Sequence, residues 1–229
     1  MEQLPGGFTL EAPPGCFPLS TDSMVLAQFV RLPKYPKVLD LGSGCGTLGL
    51  LLCAADPHCQ VTGIELDPVP HEAALENIRR NALSRLESIC ADLRQIPGFL
   101  SPGSFSVCVS NPPYYSGGPA SAANPTARRT DHCTTGDLMK AAAHALKFGG
   151  DFFLVHKPDQ LGDLIAHGAR HQLEAKRLRL IRHREGGPVT LILLQFRKGG
   201  KPGLILEEES LFDRNGQPTP FYNMVYHMT

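Results

Sequence analysis

The segment Ser110-Asn111-Pro112-Pro113-Tyr114 follows a short apolar run, and its residue types suit chemistry on a planar nitrogen. The two prolines fix the backbone and restrict Asn111 to an extended conformation. The Asn111 side-chain oxygen and the Pro112 carbonyl oxygen can accept the two protons of an aryl amine, which directs its lone pair at an electrophile. Tyr114 offers a ring face for stacking a flipped base. We predict these four residues, Asn111, Pro112, Pro113 and Tyr114, as the catalytic set; the alternative interpretation is an Asn-Pro turn with a surface tyrosine.

A glycine-rich turn, Asp40-Leu41-Gly42-Ser43-Gly44-Cys45-Gly46, links a short apolar run to a helical segment. Glycines let backbone N–H groups approach a ligand closely. Gly44, Gly46 and Gly49 also match the G-x-G-x-x-G fingerprint of dinucleotide sites, which is weak evidence alone. Glu65 comes nineteen residues after Gly46, near the spacing of an acid that binds ribose hydroxyls. This pattern is typical of both nicotinamide and S-adenosylmethionine sites.

Asp40 favours S-adenosylmethionine over a nicotinamide cofactor. A carboxylate beside the glycine turn repels a pyrophosphate but attracts an ammonium group and a cationic sulfur. Asp92 can accept a hydrogen bond from the adenine amine, while Leu93 packs on the ring. Each acid alone could equally be a helix cap, and Asp67 is predicted to cap the helix that Pro68 opens. The predicted cofactor residues are Asp40, Gly42, Ser43, Gly44, Gly46, Glu65, Leu66, Asp92, Leu93 and Asn111, and no metal ligands are predicted.

Alternating strands and helices must position these residues. The pattern predicts strands at 37–41, 60–64, 86–91, 105–110, 149–155, 173–181 and 188–196, and helices at 48–55, 68–82, 137–146 and 158–170. Such alternation indicates an α/β fold with a doubly wound, mostly parallel sheet. We predict one domain over 1–229, with a core at 37–200, an N-terminal segment at 1–36 and a C-terminal tail at 201–229. The segment 116–126, rich in Gly, Ala, Ser and Pro, is predicted to be a mobile loop.

The charges are distributed unevenly, although the formal net charge is zero. Between residues 170 and 201 there are nine Lys or Arg against two Glu. Such asymmetry is typical of polyanion binding, so Arg177, Arg179 and Arg182 are predicted to contact RNA; a solvated surface is the alternative. The longest apolar run, at 48–55, is too short for a membrane span. Seven cysteines without a C-x-x-C pair, and no secretion signal, predict a reduced cytoplasmic protein.

Taken together, these motifs resemble the class I S-adenosylmethionine-dependent methyltransferases, and the Asn-Pro-Pro-Tyr tetrad is similar to that of amino-methyltransferases acting on adenine, cytosine or glutamine. Within that group the chain most resembles the bacterial tRNA1(Val) adenine-N6-methyltransferases, which methylate an adenine next to the anticodon. The closer likeness lies in Phe17-Pro18-Leu19-Ser20-Thr21-Asp22-Ser23-Met24-Val25-Leu26, in Arg128-Arg129, in Val155-His156-Lys157-Pro158 and in the tail from 213 to 227.

The resemblance implies a Rossmann-like sheet of seven strands with an antiparallel last strand. It implies that Thr21 and Asp22 lie over the cofactor, and that the substrate is RNA, specifically tRNA, with no membrane and no obligate protein partner. The substrate residues it implies, beside the three arginines above, are Tyr114, Tyr115, Arg128, Arg129 and Lys157. The alternatives are a protein-glutamine N5-methyltransferase, a ribosomal RNA guanine-N2-methyltransferase, a non-catalytic RNA-binding relative and, least favoured, a nicotinamide oxidoreductase.

Overall fold

The computed structural model describes residues 1–113 and 133–226. The described helices are α1 (Thr21–Phe29), α2 (Thr47–Ala55), α3 (Pro68–Arg80), α4 (Thr135–Ala145), α5 (Leu161–Arg170) and α6 (Pro220–Tyr226). The described strands are β1 (Glu2–Gln3), β2 (Thr9–Leu10), β3 (Lys37–Leu41), β4 (Gln60–Glu65), β5 (Leu86–Cys90), β6 (Phe105–Ser110), β7 (Leu146–His156), β8 (Leu173–Arg184), β9 (Val189–Lys198) and β10 (Ile205–Phe212). Of these helices, none is both long and apolar enough to cross a membrane.

The main sheet has the order β5-β4-β3-β6-β7-β9-β8-β10, while β1 and β2 form a separate small hairpin. Strands β5, β4, β3, β6 and β7 are mutually parallel, and β9 runs antiparallel to both β7 and β8. The predicted fold class is therefore confirmed, including the antiparallel last strand of the predicted seven. The strand order reverses beside β3, so the carboxyl ends of β3 and β6 flank the crevice where such sheets bind ligands.

An eighth strand, β10, pairs in parallel with β8 and comes from the segment predicted as a tail. Its sequence, ILEEESLF, has three consecutive glutamates, which are unfavourable in a strand. The segment nevertheless pairs over most of its length, from Ile205 opposite Arg177 to Phe212 opposite Arg184. Residues 205–212 therefore belong to the sheet, and residues 220–226 form α6, which packs against β10 and α1.

A hydrophobic core lies on each face of the sheet. One core includes Phe29 of α1, several leucines of α2 and Phe153. The other includes residues of α4 and α5 together with Phe152 and Phe196. Consecutive side chains of a strand point to opposite faces, which explains why Phe152 and Phe153 belong to different cores. The two cores hold the ends of β3 and β6 in fixed positions.

Capping side chains determine where the helices near the crevice begin. Asp67 accepts a hydrogen bond from the backbone N–H of Val69 and caps α3, as predicted. The Ser20 hydroxyl accepts from the N–H of Ser23 and caps α1, a helix that periodicity did not predict. A serine cap satisfies one of the free N–H groups of the first turn. Residues 20–23 are thus held in a defined turn beside the crevice.

Candidate cofactor and catalytic site

The glycine loop leaves β3 with three residues in the left-handed region of backbone space. Gly42, Gly44 and Gly46 have φ of 75°, 56° and 86°. A side chain is strained at such angles, so glycine is required there. A Cβ atom built on Gly42 or Gly44 would meet nothing within 4 Å among the described residues. The loop therefore presents bare backbone to open space, as a ligand cradle requires.

The Asp40 carboxylate lies buried at the foot of this loop. Within the described part of the chain, neither Asp40 oxygen nor the buried Ser43 hydroxyl has one. Burial, with a smaller contribution from the negative charge of Glu65, raises the pKa of Asp40 to about 8. Unpaired buried polar atoms are costly, and they indicate a missing partner. Carboxylates at this position fit the ammonium and cationic sulfur of S-adenosylmethionine and do not fit a pyrophosphate.

Glu65, at the end of β4, braces the loop. One of its carboxylate oxygens accepts the N–H of Gly44 at 2.9 Å, and the other accepts the N–H of Asp67 at 2.8 Å. A carboxylate oxygen can accept more than one hydrogen bond, so both keep capacity for ligand hydroxyls. The adjoining Leu66 side chain is about half exposed. The ribose role of Glu65 and the cofactor contact of Leu66 remain predictions.

Asp92 follows β5 and caps a short 3-10 helix that begins at Leu93. Its carboxylate accepts the Arg94 backbone N–H at 2.9 Å and pairs with the Arg94 guanidinium. The hydrogen bond from that guanidinium is the main reason that the pKa of Asp92 is lowered. Leu93 is partly buried beside the second core. Their predicted contacts with the adenine ring remain predictions.

Asn111 lies directly after β6, next to the glycine loop. The hydroxyl of the preceding Ser110 is buried and donates to the Leu41 carbonyl oxygen at 2.7 Å, which joins the end of β6 to the end of β3. The Asn111 side-chain nitrogen donates to the Ser23 hydroxyl at 3.1 Å. Pro112 and Pro113 follow in the described chain. The amide of Asn111 is therefore oriented by a partner on α1.

The segment before α1 contacts the glycine loop. The Cys45 thiol donates to the Phe17 carbonyl oxygen at 3.6 Å. Thr21, in the first turn of α1 with Asp22, shares a hydrogen bond of 2.6 Å with the Tyr226 hydroxyl. The covering role of this segment and the direct contacts of Thr21 and Asp22 with a cofactor remain predictions.

Two residues that shape the loop were missed from the sequence. The buried Asn77 side chain of α3 donates to the Cys45 carbonyl oxygen at 3.0 Å and to the Glu11 carbonyl oxygen at 2.9 Å. Asn77 shares a face with the buried Pro70 and Ala74, so a polar residue on an apolar helix face was the available signal. A Cβ atom on Gly63 of β4 would lie 2.6 Å from the Ser43 hydroxyl, and a glycine inside a strand indicates such close approach.

The surroundings of Arg177, Arg179 and Arg182 correct one part of the prediction that they bind RNA. The buried Arg177 and the largely buried Arg179 both pair with Glu207 of β10. Their guanidinium groups lie 4.2 and 5.1 Å from the Phe29 ring centre. Arg182 pairs with Glu208. The prediction is wrong for Arg177, because this residue is only 3% exposed. Arg179 shares Glu207 with Arg177, and Arg182 is partly exposed, so RNA contacts of these two arginines remain a prediction.

Of the remaining predicted substrate residues, Lys157 lies in the described structure and the others lie outside it. Lys157 follows β7 at the same edge as Asn111, and its backbone N–H donates to the Nδ1 atom of His156 at 2.9 Å. Burial is the main cause that lowers the pKa of His156. Tyr114, Tyr115, Arg128, Arg129 and the loop 116–126 lie outside the described residues.

Comparisons with known proteins agree with this arrangement. The methyltransferase small domain family matches residues 9–164. A tRNA1(Val) (adenine(37)-N6)-methyltransferase of Dickeya chrysanthemi is 30% identical over 206 residues, which are 86% of this chain and 81% of that protein. One of the same name from Photobacterium profundum is 29% identical over 187 residues, 79% of this chain and 78% of that protein. The crystal structure of a predicted O-methyltransferase from Agrobacterium tumefaciens superposes with a TM-score of 0.74 at 21% identity, covering 90% of this chain and 95% of that one, and shows a shared fold.

Proposed function

Because the chain belongs to the methyltransferase small domain family, we propose that it transfers a methyl group from S-adenosylmethionine to the exocyclic N6 amine of an adenine in tRNA. Support for the substrate comes from two relatives whose names state this activity and which match most of the chain. The observation that carries the proposal is the position of Asn111. It stands at the end of β6, before two prolines and next to a loop whose buried carboxylate has no hydrogen-bond partner among the described residues.

The residues at the loop fit the cofactor. Asp40 provides the negative charge that an amino-acid ammonium needs, and the Ser43 hydroxyl has free hydrogen-bonding capacity. Gly42 and Gly44 leave their backbone open to the ligand, and Glu65 can accept ribose hydroxyls beside the loop it braces. When bound, S-adenosylmethionine supplies an electrophilic methyl group on a sulfonium that leaves as a neutral thioether.

Asn111 is proposed to hold the amine in its reactive orientation. Its side-chain oxygen and the Pro112 carbonyl oxygen accept the two N–H groups, so the nitrogen lone pair faces the methyl group rather than delocalising into the ring. As positive charge develops on the nitrogen, both hydrogen bonds strengthen, which stabilises the transition state over the bound substrate. The methylated nitrogen is acidic and gives its proton to solvent, so no strong base is required.

The compartment and domain organisation belong to the same proposal. All seven cysteines are free, which suits a reducing compartment, and we infer the cytoplasm. The three segments 1–36, 37–200 and 201–229 are proposed to act as one domain, since β10 joins the main sheet and α6 contacts α1.

Identification of the methylated product tests the proposed function. The protein is incubated with labelled S-adenosylmethionine and, separately, total tRNA, ribosomal RNA or a release factor, and the products are digested. We expect N6-methyladenosine from tRNA, and at least about a hundredfold lower rate for Asn111→Ala, the scale of losing a preorganised polar partner. Its affinity for S-adenosylmethionine should stay near that of the wild type. Label in a glutamine of the release factor or in a guanine of ribosomal RNA would replace the proposal by one of those activities.

A further inference from the structure

We propose that Ser23 is a positioning residue for methyl transfer: its hydroxyl fixes the Asn111 carboxamide with the oxygen toward the substrate amine. The proposal rests on the proposed catalytic role of Asn111. The juxtaposition joins two parts of the chain that lie 88 residues apart, the first turn of α1 and the end of β6.

The geometry gives the contact a direction. The Asn111 Nδ2 atom lies 3.1 Å from the Ser23 Oγ atom, and a carboxamide nitrogen can only donate, so Ser23 accepts. The Ser23 Oγ atom lies 3.3 Å from the Ser20 Oγ atom, which can accept the Ser23 hydroxyl proton. Ser23 is 5% exposed, so water cannot readily replace it as the partner of Asn111. Ser20, Ser23 and Asn111 thus form a short hydrogen-bonded chain, whose contact from Asn111 to Ser23 has a fixed direction.

Orientation of the carboxamide matters because its two ends are alike in size and opposite in hydrogen bonding. If the group rotates by half a turn, its N–H atoms face the N–H atoms of the substrate amine, and the accepting oxygen points away from it. When the Ser23 hydroxyl donates its proton to Ser20, the productive orientation is favoured, because in the rotated one the Asn111 oxygen faces the Ser23 oxygen with no proton between them. The proposed role acts through Asn111, not through contact with the substrate.

Helix α1, which carries Ser23, is fixed by contacts at both of its ends. Its first turn is tied to α6 by the hydrogen bond between Thr21 and Tyr226. At its other end, the Phe29 ring packs edge-on against Phe153 of β7, with ring centres 5.9 Å apart. Because both ends of α1 are held, Ser23 can determine the orientation of Asn111, which lies on another element.

Substitutions at Ser23 test the proposal through turnover. Ser23→Ala should lower kcat about tenfold, the scale of one lost neutral hydrogen bond, and leave the Kd of S-adenosylmethionine and the KM of tRNA within about twofold. Ser23→Thr keeps the hydroxyl and should restore most of kcat, whereas Ser23→Cys, a weak acceptor, should stay low. The control is Ser106→Ala at the opposite end of β6, where the hydroxyl bonds to the backbone of Lys37, and its kcat should be unchanged.

The double variant separates positioning from a general loss of structure. In an Asn111→Ala background, Ser23→Ala should cause no further loss of kcat, because the group that it orients is gone. Equal losses in both backgrounds, or unchanged kcat in Ser23→Ala, would overturn the role of Ser23. Wild-type turnover in Asn111→Ala alone would instead overturn the proposed catalytic mechanism, so the two failures are distinguishable. If Ser23→Ala does not fold, comparison of Ser23→Thr with Ser23→Cys decides.

Discussion

At the scale of residues, the most informative group is a carboxylate that the protein leaves unsatisfied. Asp40 is buried, lacks a hydrogen-bond partner in the described structure and lies near a second acid, Glu65. Both circumstances disfavour its charged form. A cationic ligand reverses that balance, because its ammonium compensates for burial. Cofactor binding and the protonation state of Asp40 should therefore be coupled.

Calorimetry of cofactor binding measures this coupling directly. With the pKa of Asp40 raised to about 8, the carboxyl is largely protonated at neutral pH in the free protein. Binding of S-adenosylmethionine at pH 7 should release roughly one proton, detected by titration in buffers of different ionisation enthalpy. Asp40→Asn should abolish most of that release and weaken binding. Proton release of equal size in both proteins would show that Asp40 does not face the ammonium.

The same carboxyl should affect stability in the absence of ligand. Its folded-state pKa of about 8 exceeds its unfolded value, so the folded state binds more protons between about pH 4 and 8. Stability therefore falls as pH rises through that window. Thermal unfolding without cofactor should show Asp40→Asn gaining on the wild type between pH 5 and pH 8. A constant difference across this range would contradict the raised pKa.

At the scale of elements, the glycine loop depends on a strand beneath it. Gly63 of β4 leaves room for Ser43, whose hydroxyl would lie 2.6 Å and whose Cβ atom 2.8 Å from an added Cβ atom. Asn77 of α3 holds the Cys45 carbonyl of the same loop. The cradle is thus built by three elements, and its shape can be changed from residues that need not touch the ligand.

Gly63→Ala should disturb the cradle through this contact. Because Ser43 must move, we expect the Kd of S-adenosylmethionine to rise about tenfold or more, with some loss of stability from overpacking. Gly162→Ala is the matched control, since a Cβ atom there meets nothing within 4 Å of the described chain and alanine favours the helix. Unchanged affinity in Gly63→Ala, measured by calorimetry, would show that the loop tolerates displacement.

The sequence predicted the elements that have strong local patterns, and it did not predict contacts between residues that are far apart in the chain. The strands β3, β4 and β6 are short, largely apolar segments that end at motifs, so their positions and the placement of Asp40, Glu65 and Asn111 were predictable. Ser23 and Asn77 act through partners more than thirty residues away, which no local pattern reveals. The acidic sequence of β10 is unfavourable in a strand by propensity alone. The strand forms because the arginines of β8 compensate its charges.

At the scale of the whole molecule, opposite charges separated in sequence meet at one edge of the sheet. Glu207 pairs with both Arg177 and Arg179. Burial opposes ionisation of Glu207, but the hydrogen bonds from the two guanidinium groups lower its pKa below the usual value of 4.5. Arg177, Arg179 and Arg182 therefore help to stabilise the fold at this edge, where β10 supplies their carboxylate partners.

Neutralising Glu207 tests this interpretation. Glu207→Gln leaves the buried Arg177 without its carboxylate and should lower the free energy of unfolding by about 3 kcal/mol at pH 7. A carboxyl with a lowered folded pKa stabilises above its unfolded pKa, so the difference should shrink as pH falls below 4.5 through the folded value. Urea unfolding of Glu207→Gln and of Glu209→Gln, which forms no ion pair among the described residues, measures the effect. Equal stability of the two variants at pH 7 would contradict it.

The position of β10 also has a consequence for synthesis on the ribosome. β8 is made before β10, and the nascent chain must add β9 and the segment that follows it before Glu207 reaches Arg177. Until then, Arg177 has the Phe29 ring beside it but lacks the carboxylate of Glu207. The edge of β8 opposite β9 has no strand paired with it. An unpaired strand edge is a template for association with other chains. Released chains truncated near residue 200, which have β8 and β9 but lack β10, should therefore bind chaperones more strongly than the chain of 229 residues.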